Sequence, residues 1–333
     1  MALEQRIAVT LPGGPKLEQT IERIRWAEDN GIPDGWFSDA GAPDTLTQIA
    51  AIAHHIRKLR IGVAVTPVYT RTPAVIAASA NVIAQVLPGR FVLGLGSSSQ
   101  TIMGQWNGIK LDKPLTRVKE TAIMVRSMLK GEKSNFDGET LTSHGYRQPP
   151  SENPPPIYLA ALRPNMIEMA AEVGDGVIFN LWPQGALPKM MEHVKIGAER
   201  AGKKAEDVEI VNRAMVLVTD DKAEARNLFR AAFAPYYATP VYNAFLAWAG
   251  YEDAARTIRE GWAAKDREKT GGALSDALID EIAIIGDEDE VRERIQADAD
   301  GGVHTHIIAP VAASAEAAQR TFDAFRGDRF SFR

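Results

Sequence analysis

Short apolar runs and longer amphipathic segments alternate along the whole chain. Runs this short, bounded by Gly, Pro or Asp, are typical of buried strands, whereas the longer segments repeat apolar residues at the spacing of a helix. The pattern predicts eight strands, at residues 6–11, 35–39, 59–66, 90–96, 156–161, 175–180, 208–218 and 304–311. A strand–helix unit repeated in this way predicts one α/β domain over residues 1–333, a (β/α)8 TIM barrel, rather than a doubly wound sheet with a second domain.

The predicted helices can be oriented from the spacing of their apolar residues. The helix that begins at Pro114 carries one apolar stripe, at Val118, Ala122, Val125 and Leu129. The helix that begins with the Thr72 cap carries another, at Val75, Ser79, Val82 and Val86. We expect both stripes to pack on the barrel core.

Two segments interrupt the alternation. Residues 130–156 are polar and end in QPPSENPPP, which is either a linker between two domains or a connection within one barrel. The strand–helix alternation resumes directly afterwards, which favours the connection. Residues 221–300 are mostly helical, and the part at about 236–280 is predicted to be a helical insertion between strands seven and eight. Such an insertion is long enough to cover the end of the barrel at which the strands finish.

Composition narrows the classes of function. The net charge is −5 with no basic block, which argues against nucleic acid as the main partner. The lack of cysteine excludes disulfides, thiolate catalysis and cysteine-bound metals. The N-terminal residues lack the pattern of a secretory signal, and no apolar run approaches the roughly 20 residues of a membrane span. We therefore expect a cytoplasmic protein that acts on a small molecule, with no membrane partner.

In a (β/α)8 barrel, the residues that follow the strands meet around one mouth and are the candidates for chemistry. The fourth strand ends in the small-residue loop Gly96, Ser97, Ser98, which lacks the full G-x-G-x-x-G motif of dinucleotide sites. Asp39 is the only carboxylate directly at an early strand end. It is either a cofactor contact and acid/base group or a local N-cap or Asx-turn residue. The other mouth residues are mostly small, apolar and neutral, which suits a large flat cofactor better than a metal.

Two loops offer backbone N–H groups to a phosphate. One is the loop at Gly96; the other is a helix start at Leu162, Arg163, Pro164 and Asn165. Arg163 either adds a charge-assisted contact to the phosphate or is merely solvated.

Aromatic residues and histidines remain open to two interpretations. Tyr236, Tyr242 and Trp248 would line a substrate pocket with Trp182 if the insertion folds over the mouth, or the insertion residues form a core of their own. His304 and His306 share one face of the last strand and are the only pair with ligand-like spacing. A pair in the core or beside a cofactor is the interpretation we favour, so no metal site is predicted.

With these segments identified, the chain resembles the bacterial-luciferase-like superfamily of flavin- and deazaflavin-dependent oxidoreductases. The resemblance covers most of the chain in the family's order, through VTPVYTRTPAVIA (65–77), GRFVLGLGSSS (89–99), KPLTRVKE (113–120), PIYLAALRPNMIEMAAEVGDGVIFN (156–180) and THIIAPV (305–311). It is most similar to the branch that uses the deazaflavin coenzyme F420, which includes methylenetetrahydromethanopterin reductase-like proteins.

The resemblance implies roles for particular residues. A bulge with a non-prolyl cis peptide at about Ala64 and Val65 would support the cofactor ring, and Thr66 would hydrogen-bond to it. The loop Ala161, Leu162, Arg163, Pro164, Asn165 would hold the phosphate. Gly96, Ser97 and Ser98 would lie on the pyrimidine or ribityl side. The resemblance also implies a homodimer and, for the flavin branch, a partner reductase.

Two positions depart from the family's pattern. Several deazaflavin-dependent dehydrogenases have a His directly after the Asp of strand two, where this chain has Ala40. Some have a Glu at the end of strand one, where this chain has Leu11–Gly14. A dehydrogenase mechanism that relies on those two groups is therefore in question.

The resulting hypothesis is a coenzyme F420-dependent oxidoreductase, which transfers a hydride between the deazaflavin ring and a small organic substrate at the mouth, with Asp39 as the candidate acid/base. The runner-up is an FMN-dependent monooxygenase that uses reduced flavin and O2. A non-enzymatic alternative is a flavin-binding or carrier protein. The sequence names no substrate.

Overall fold

The computed structural model describes residues 3–14, 16–39 and 43–333. Its strands are β1 (Arg6–Thr10), β2 (Asp34–Phe37), β3 (Arg60–Val63), β4 (Thr66–Pro67), β5 (Phe91–Gly96), β6 (Asn135–Asp137), β7 (Thr142–His144), β8 (Ile157–Ala160), β9 (Gly176–Asn180), β10 (Glu209–Val218), β11 (Ile284–Gly286) and β12 (Thr305–Pro310). Eight of them form a closed parallel barrel in the order β1, β2, β3, β5, β8, β9, β10, β12 and back to β1. The predicted (β/α)8 fold is confirmed.

The helices are α1 (Leu17–Asp29), α2 (Thr45–Ile52), α3 (Pro73–Val86), α4 (Pro114–Leu129), α5 (Pro164–Val173), α6 (Leu187–Arg200), α7 (Lys222–Tyr237), α8 (Pro240–Trp248), α9 (Glu252–Ala263), α10 (Arg267–Gly272), α11 (Asp276–Ile282), α12 (Glu288–Asp300) and α13 (Ala315–Asp323). The predicted stripe of α4 is confirmed, since all four of its residues are buried. None of the described helices is long and apolar enough to cross a membrane.

The predicted stripe of α3 is wrong. Val75, Val82 and Val86 are about half exposed, at 51%, 52% and 48%. The buried face instead carries Ile76 and Ile83, among other residues. Because α3 is apolar nearly all round, its spacing fits more than one face, and the packing against neighbouring elements decides which face is buried.

Residues 130–156 connect α4 to β8 within the barrel. They contain the antiparallel hairpin β6–β7, and the Ser151 N–H donates to the Leu129 carbonyl at 2.7 Å, which holds the end of the segment against α4. Strands from both sides of the segment belong to the same barrel. The linker alternative is therefore excluded.

The helices α7 to α11 lie between β10 and β11 and share a core around Phe229, Phe233 and Tyr237. β11 then pairs with the C-terminal part of β10, where Val216 lies opposite Ile284. This pairing connects the end of the helical segment to the barrel sheet. We call α7 to α11 the insertion helices.

The N-terminal end of the barrel is closed by one ionic network. Arg60 donates from Nε to Asp34 at 2.7 Å and from two other nitrogens to Glu209 at 2.9 and 2.7 Å. It also donates to the Thr305 hydroxyl at 3.0 Å, and the hydroxyls of Thr305 and Tyr158 donate to Glu209. Five barrel strands therefore meet through these side chains, and we call this end the closed end.

Burial alone would raise the pKa of Glu209, but the hydrogen bonds and charge of Arg60, together with the two hydroxyls, lower it to about 2. Burial dominates at Asp34 and raises its pKa despite the same guanidinium. Glu209 is thus the carboxylate that Arg60 stabilises more strongly in its charged form.

A bulge separates β3 from β4 along their shared neighbour β5. Gly62 pairs with Val92 and Thr66 pairs with Leu95, so the first chain advances four residues (62 to 66) where β5 advances three (92 to 95). The peptide bond between Ala64 and Val65, within the bulge, is cis.

The bulge explains the glycine in β5. A Cβ on Gly94 would lie 1.8 Å from the carbonyl oxygen of Val63, far inside any real contact. The backbone of the bulge occupies the space of a side chain at this position, so only glycine fits.

Gly94→Ala is expected to lower the free energy of unfolding by about 3 kcal/mol or more, at the upper end for overpacking, because the opposing atom belongs to the backbone. Urea unfolding followed by circular dichroism measures this change. Gly272→Ala is the matched control, since its added Cβ meets no atom within 4 Å. Equal stability of the two variants would contradict the steric explanation.

Glu209→Gln is expected to destabilise the protein by about 3 kcal/mol at neutral pH. Since the folded pKa of about 2 lies below the ordinary value of 4.5, the charged side chain stabilises the fold above pH 4.5, and this stabilisation is lost as the pH falls toward 2. In urea titrations, the difference in free energy of unfolding between wild type and variant should therefore decrease as the pH is lowered from 5 to 3. The exposed Glu293→Gln serves as control; a difference independent of pH would refute the assignment.

Candidate active site

The middle of the barrel is filled by one layer of inward-facing side chains, which we call the inner layer: Ala8, Trp36, Val92, Tyr158, Ile178, Val211 and Ile307. The closed end lies on one side of this layer. On the other side, at the C-terminal ends of the strands, the barrel opens into the mouth. A ligand inside the barrel therefore has room only in the mouth.

The wall of the mouth at β3 and β5 is made of small, uncharged residues. Ala64 and Val65 are partly exposed and pack on the inner layer. A Cβ on Gly96 would come within 2.5 Å of Val65 Cγ2 and 3.2 Å of Ala160 Cβ. These two side chains fill the space that a side chain at position 96 would need, so glycine lets the wall pack closely.

Thr66 does not line this wall. The residue is fully buried, and its hydroxyl oxygen has no hydrogen-bond partner among the described residues. The hydrogen bond from Thr66 to a cofactor ring stays a prediction.

Asp39 forms a salt bridge with Arg71, at 3.0 Å between Oδ2 and Nη1. Its side chain is only 2% exposed, and that of Arg71 is 14% exposed. Arg71 also pairs with Asp44, which caps α2 by accepting from the Thr47 N–H at 2.7 Å. Asp44 therefore caps α2, and the choice between the two roles of Asp39 stays a prediction. Ala40, the position of the family's His, lies outside the described residues.

The predicted phosphate loop precedes α5. Arg163 and Asn165 are exposed, and no described carboxylate pairs with Arg163. The Met166 and Ile167 N–H groups donate to the Arg163 carbonyl at 2.9 Å. Ala161 is buried and donates to Ile178 at 3.1 Å, while Leu162 and Pro164 are partly exposed. This loop leaves a cation and an amide side chain available at a helix start.

The second predicted phosphate loop follows β5. Ser97 and Ser98 are partly exposed, and Ser98 has a φ of 61°, in the left-handed region. The Ser99 hydroxyl accepts from the Ile102 N–H at 3.2 Å, which begins a short helical turn at 101–106. The serines therefore face the solvent beside Gly96 at the edge of the mouth.

The junction of α7 and α8 lies at the mouth. The Asn180 side-chain amide at the end of β9 donates to the Tyr242 hydroxyl at 2.8 Å, and the Tyr237 hydroxyl donates to the Leu181 carbonyl at 2.7 Å. Tyr236 packs edge-on against Tyr242 at 5.7 Å between ring centroids. Tyr236 and Tyr242 thus lie beside the end of β9, and Tyr242 also packs on the core of the insertion helices, so their role in a substrate pocket stays a prediction.

The two predicted tryptophans lie elsewhere. Trp182 donates to Asn212 at 2.9 Å and, with Asp298, lines a small cavity of about 10 Å³ between β10 and α12. Trp248 stacks on Phe245 and lies 5.8 Å from the ring of His193 in α6. Neither is brought together with Asn180 and Tyr242.

The histidine pair lies at the N-terminal half of β12. His304 Nδ1 accepts from the Ile210 N–H at 3.0 Å, and His306 is fully buried with its ring 5.5 Å from that of Phe332. Burial lowers the pKa of His306 to about 3. No group of potential metal ligands occurs among the residues that the structure describes, and the pair belongs to the core.

Sequence reasoning missed Arg213. It follows the inner-layer residue Val211 by two positions, so it faces the inside of the barrel, and it pairs in register with Asn180. Burial lowers the pKa of its guanidinium, which the nearby Tyr236 and Tyr242 only partly offset. The available signal was a lone cation within a ten-residue strand that is otherwise almost wholly apolar.

Asp39→Asn is expected to cost about 2 kcal/mol of folding free energy, because it weakens a buried salt bridge. Asp44→Asn is the matched control: it makes the same change at the same arginine, but at a 43% exposed carboxylate whose capping role Asn retains. In urea unfolding, this control should lower the free energy of unfolding by less than about 0.5 kcal/mol. A larger loss in the control than in Asp39→Asn would refute the importance of the buried pair.

Comparison with known proteins agrees with this fold and mouth. The profile of the luciferase-like monooxygenase family matches residues 1–305. A 5,10-methylenetetrahydromethanopterin reductase of Methanolobus tindarius is 29% identical over 302 residues, which cover 90% of this chain and 91% of that protein. A putative coenzyme F420-dependent oxidoreductase of Mycobacterium tuberculosis is 27% identical over 330 residues, which cover 91% and 93% of the two chains.

Among solved structures, the coenzyme F420-dependent tetrahydromethanopterin reductase of Methanopyrus kandleri superposes with a TM-score of 0.80 at 20% identity, covering 97% of this chain and 98% of that one. This similarity supports the barrel fold. The resemblance inferred from the sequence is confirmed, and the chain belongs to the luciferase-like monooxygenase family.

Proposed function

We propose that this protein is a coenzyme F420-dependent oxidoreductase that transfers a hydride between the deazaflavin ring and a small organic substrate in the mouth. The single observation that carries the proposal is the wall at Ala64, Val65 and Gly96, which is closely packed, lies at the strand ends around the mouth and carries no charged side chain. The names of relatives that align over nine tenths of the chain support F420 as the cofactor.

The residues present fit such a cofactor. The wall at Ala64, Val65 and Gly96 would offer uncharged, closely packed groups to the face of a ring. Arg163 and Asn165, exposed and without an ion-pair partner among the described residues, suit a phosphate at the start of α5. The partly exposed serines at 97 and 98 add hydroxyls directly after Gly96. Among the described residues, the mouth contains no cluster of acidic side chains that would repel an anionic cofactor.

When bound, the deazaflavin supplies hydride exchange at the central carbon of its ring. The contribution of the protein is to hold and orient the reactants. The wall fixes one face of the ring, Arg163 fixes the phosphate, and Tyr236 and Tyr242 cover the β9 side of the mouth. This cover reduces the access of water to the space where the substrate meets the ring.

The end of β1 offers no acid for proton transfer. Leu11 is buried, and the Pro12 carbonyl accepts hydrogen bonds from Thr20 at 2.8 Å and Gln48 at 3.3 Å. Asp39 remains a candidate acid/base, although its salt bridge with Arg71 already occupies it. A mechanism that depends mainly on orientation therefore agrees best with this mouth.

An FMN-dependent monooxygenase is the second candidate, since Arg163 and Asn165 suit the phosphate of FMN as well. Fluorescence titration of the purified protein with F420 and with FMN, side by side, distinguishes the two candidates. We expect F420 to bind with micromolar or lower Kd and FMN to bind at least about tenfold more weakly. Tighter binding of FMN would overturn the proposal in favour of the monooxygenase.

The same titration tests the phosphate loop. Arg163→Ala should raise the Kd of F420 about tenfold, the loss of one charge-assisted contact. Arg25→Ala, at an exposed arginine of α1, should leave the Kd unchanged. A protein that binds F420 but reduces no compound in a panel of carbonyl and imine substrates would instead be a carrier.

A further inference from the structure

We propose that the Arg213 guanidinium is the binding site for a carboxylate group of the substrate. The inference deepens the proposed function, on which it rests, by giving the substrate a chemical class: a small organic monoanion. It is carried by the position of Arg213 in the mouth and by its lack of an acidic partner.

Arg213 is located directly above the inner layer. Its register partners are Asn180 on β9 and Ile307 on β12, and the latter belongs to the inner layer. Residues paired in this way on parallel strands point to the same face of the sheet. The guanidinium therefore faces the mouth, on the side that Tyr236 and Tyr242 cover.

No carboxylate among the described residues lies within salt-bridge distance of Arg213, whereas Arg6 and Arg60, at the closed end, both pair with Asp34. Its Nε is buried without a hydrogen-bond partner, and Nη1 makes only a 3.5 Å contact with Met215 Sδ. A buried cation without a counter-charge is costly unless a ligand supplies one. At Arg60, by contrast, two carboxylates of the protein fill that role.

Neutral polar groups surround the guanidinium. The Tyr242 hydroxyl accepts from the Asn180 amide, so its own hydrogen is available to donate to a ligand. Burial raises the pKa of Tyr242 to about 12, so the phenol keeps this hydrogen at neutral pH. Asn180 Oδ1 is a buried acceptor without a donor. The site thus combines one cation, one hydroxyl donor and one acceptor.

A carboxylate fits this set better than a phosphate monoester. The planar fork of arginine matches the two oxygens of a carboxylate, and one guanidinium balances one negative charge. A phosphate monoester carries a charge between about −1.5 and −2 at neutral pH, and the described part of the chain offers no second cation beside Arg213. The exposed Arg163, at the start of α5, suits the phosphate of the cofactor instead.

Fluorine NMR of two probe anions, 4-fluorobenzoate and trifluoroacetate, tests the site directly in the full-length protein without cofactor. We expect line broadening of at least one probe with wild type and an increase of at least about tenfold in its Kd for Arg213→Gln. Arg213→Lys, which keeps the charge but loses the fork, should give an intermediate Kd. Arg25→Ala should bind as wild type does.

Binding of neither probe to wild type, or equal binding to wild type and Arg213→Gln, would overturn the inference. Competition with unlabelled anions gives a further test. If inorganic phosphate displaces the probes at a lower concentration than benzoate does, the site prefers a different anion and the inference is overturned. If Arg213→Gln fails to fold, the comparison of wild type with Arg213→Lys decides.

F420 titrations separate this inference from the proposed function. We expect the Kd of F420 to change less than about threefold in Arg213→Gln. A tenfold increase would instead assign Arg213 to the cofactor and refute a substrate site. If wild type binds the probe anions through Arg213 but does not bind F420, the anion site stands and the proposed function fails.

Discussion

The arrangement of the barrel depends on the hydrogen bonds and ion pairs of the Arg60 guanidinium. This guanidinium joins β3 to Asp34 of β2, Glu209 of β10 and Thr305 of β12, and Glu209 extends the network to Tyr158 of β8. With this end closed by ionic groups and the middle filled by apolar side chains, space for a ligand remains only at the C-terminal ends of the strands. The position of the site thus follows from how the opposite end is filled.

The second constraint is the bulge between β3 and β4. Its extra residue turns the Val63 carbonyl toward β5. The carbonyl oxygen occupies the space that a side chain at position 94 would need, so this position must be glycine. Two positions later, Gly96 lies against Val65 and Ala160, so the same irregularity shapes the wall of the mouth. The irregular pairing of two strands therefore shapes the uncharged wall on which the proposed function depends.

The sequence predicted the strands, the barrel and the position of the mouth, because short apolar runs, glycines and turn residues are local signals. It failed where tertiary packing decides between faces. The valines of α3 were assigned to the wrong face of a helix that is apolar nearly all round. Trp182 follows Leu181, whose φ of 50° turns the chain, and its side chain packs outside the barrel. Arg213 was missed because only the closed barrel shows that no acidic residue comes near it.

The link between Asn180 and Tyr242 has a consequence for how such a protein can change over evolution. The proposed substrate contacts come from the end of β9, from β10 and from α7 and α8 where they join, whereas Arg60 and its partners lie at the opposite end of the barrel. Substitutions in α7 and α8 at this junction can therefore alter which molecules are accepted while leaving the closure of the barrel intact. The insertion helices thus allow substrate range to diversify on one scaffold, with the barrel retaining its stability throughout.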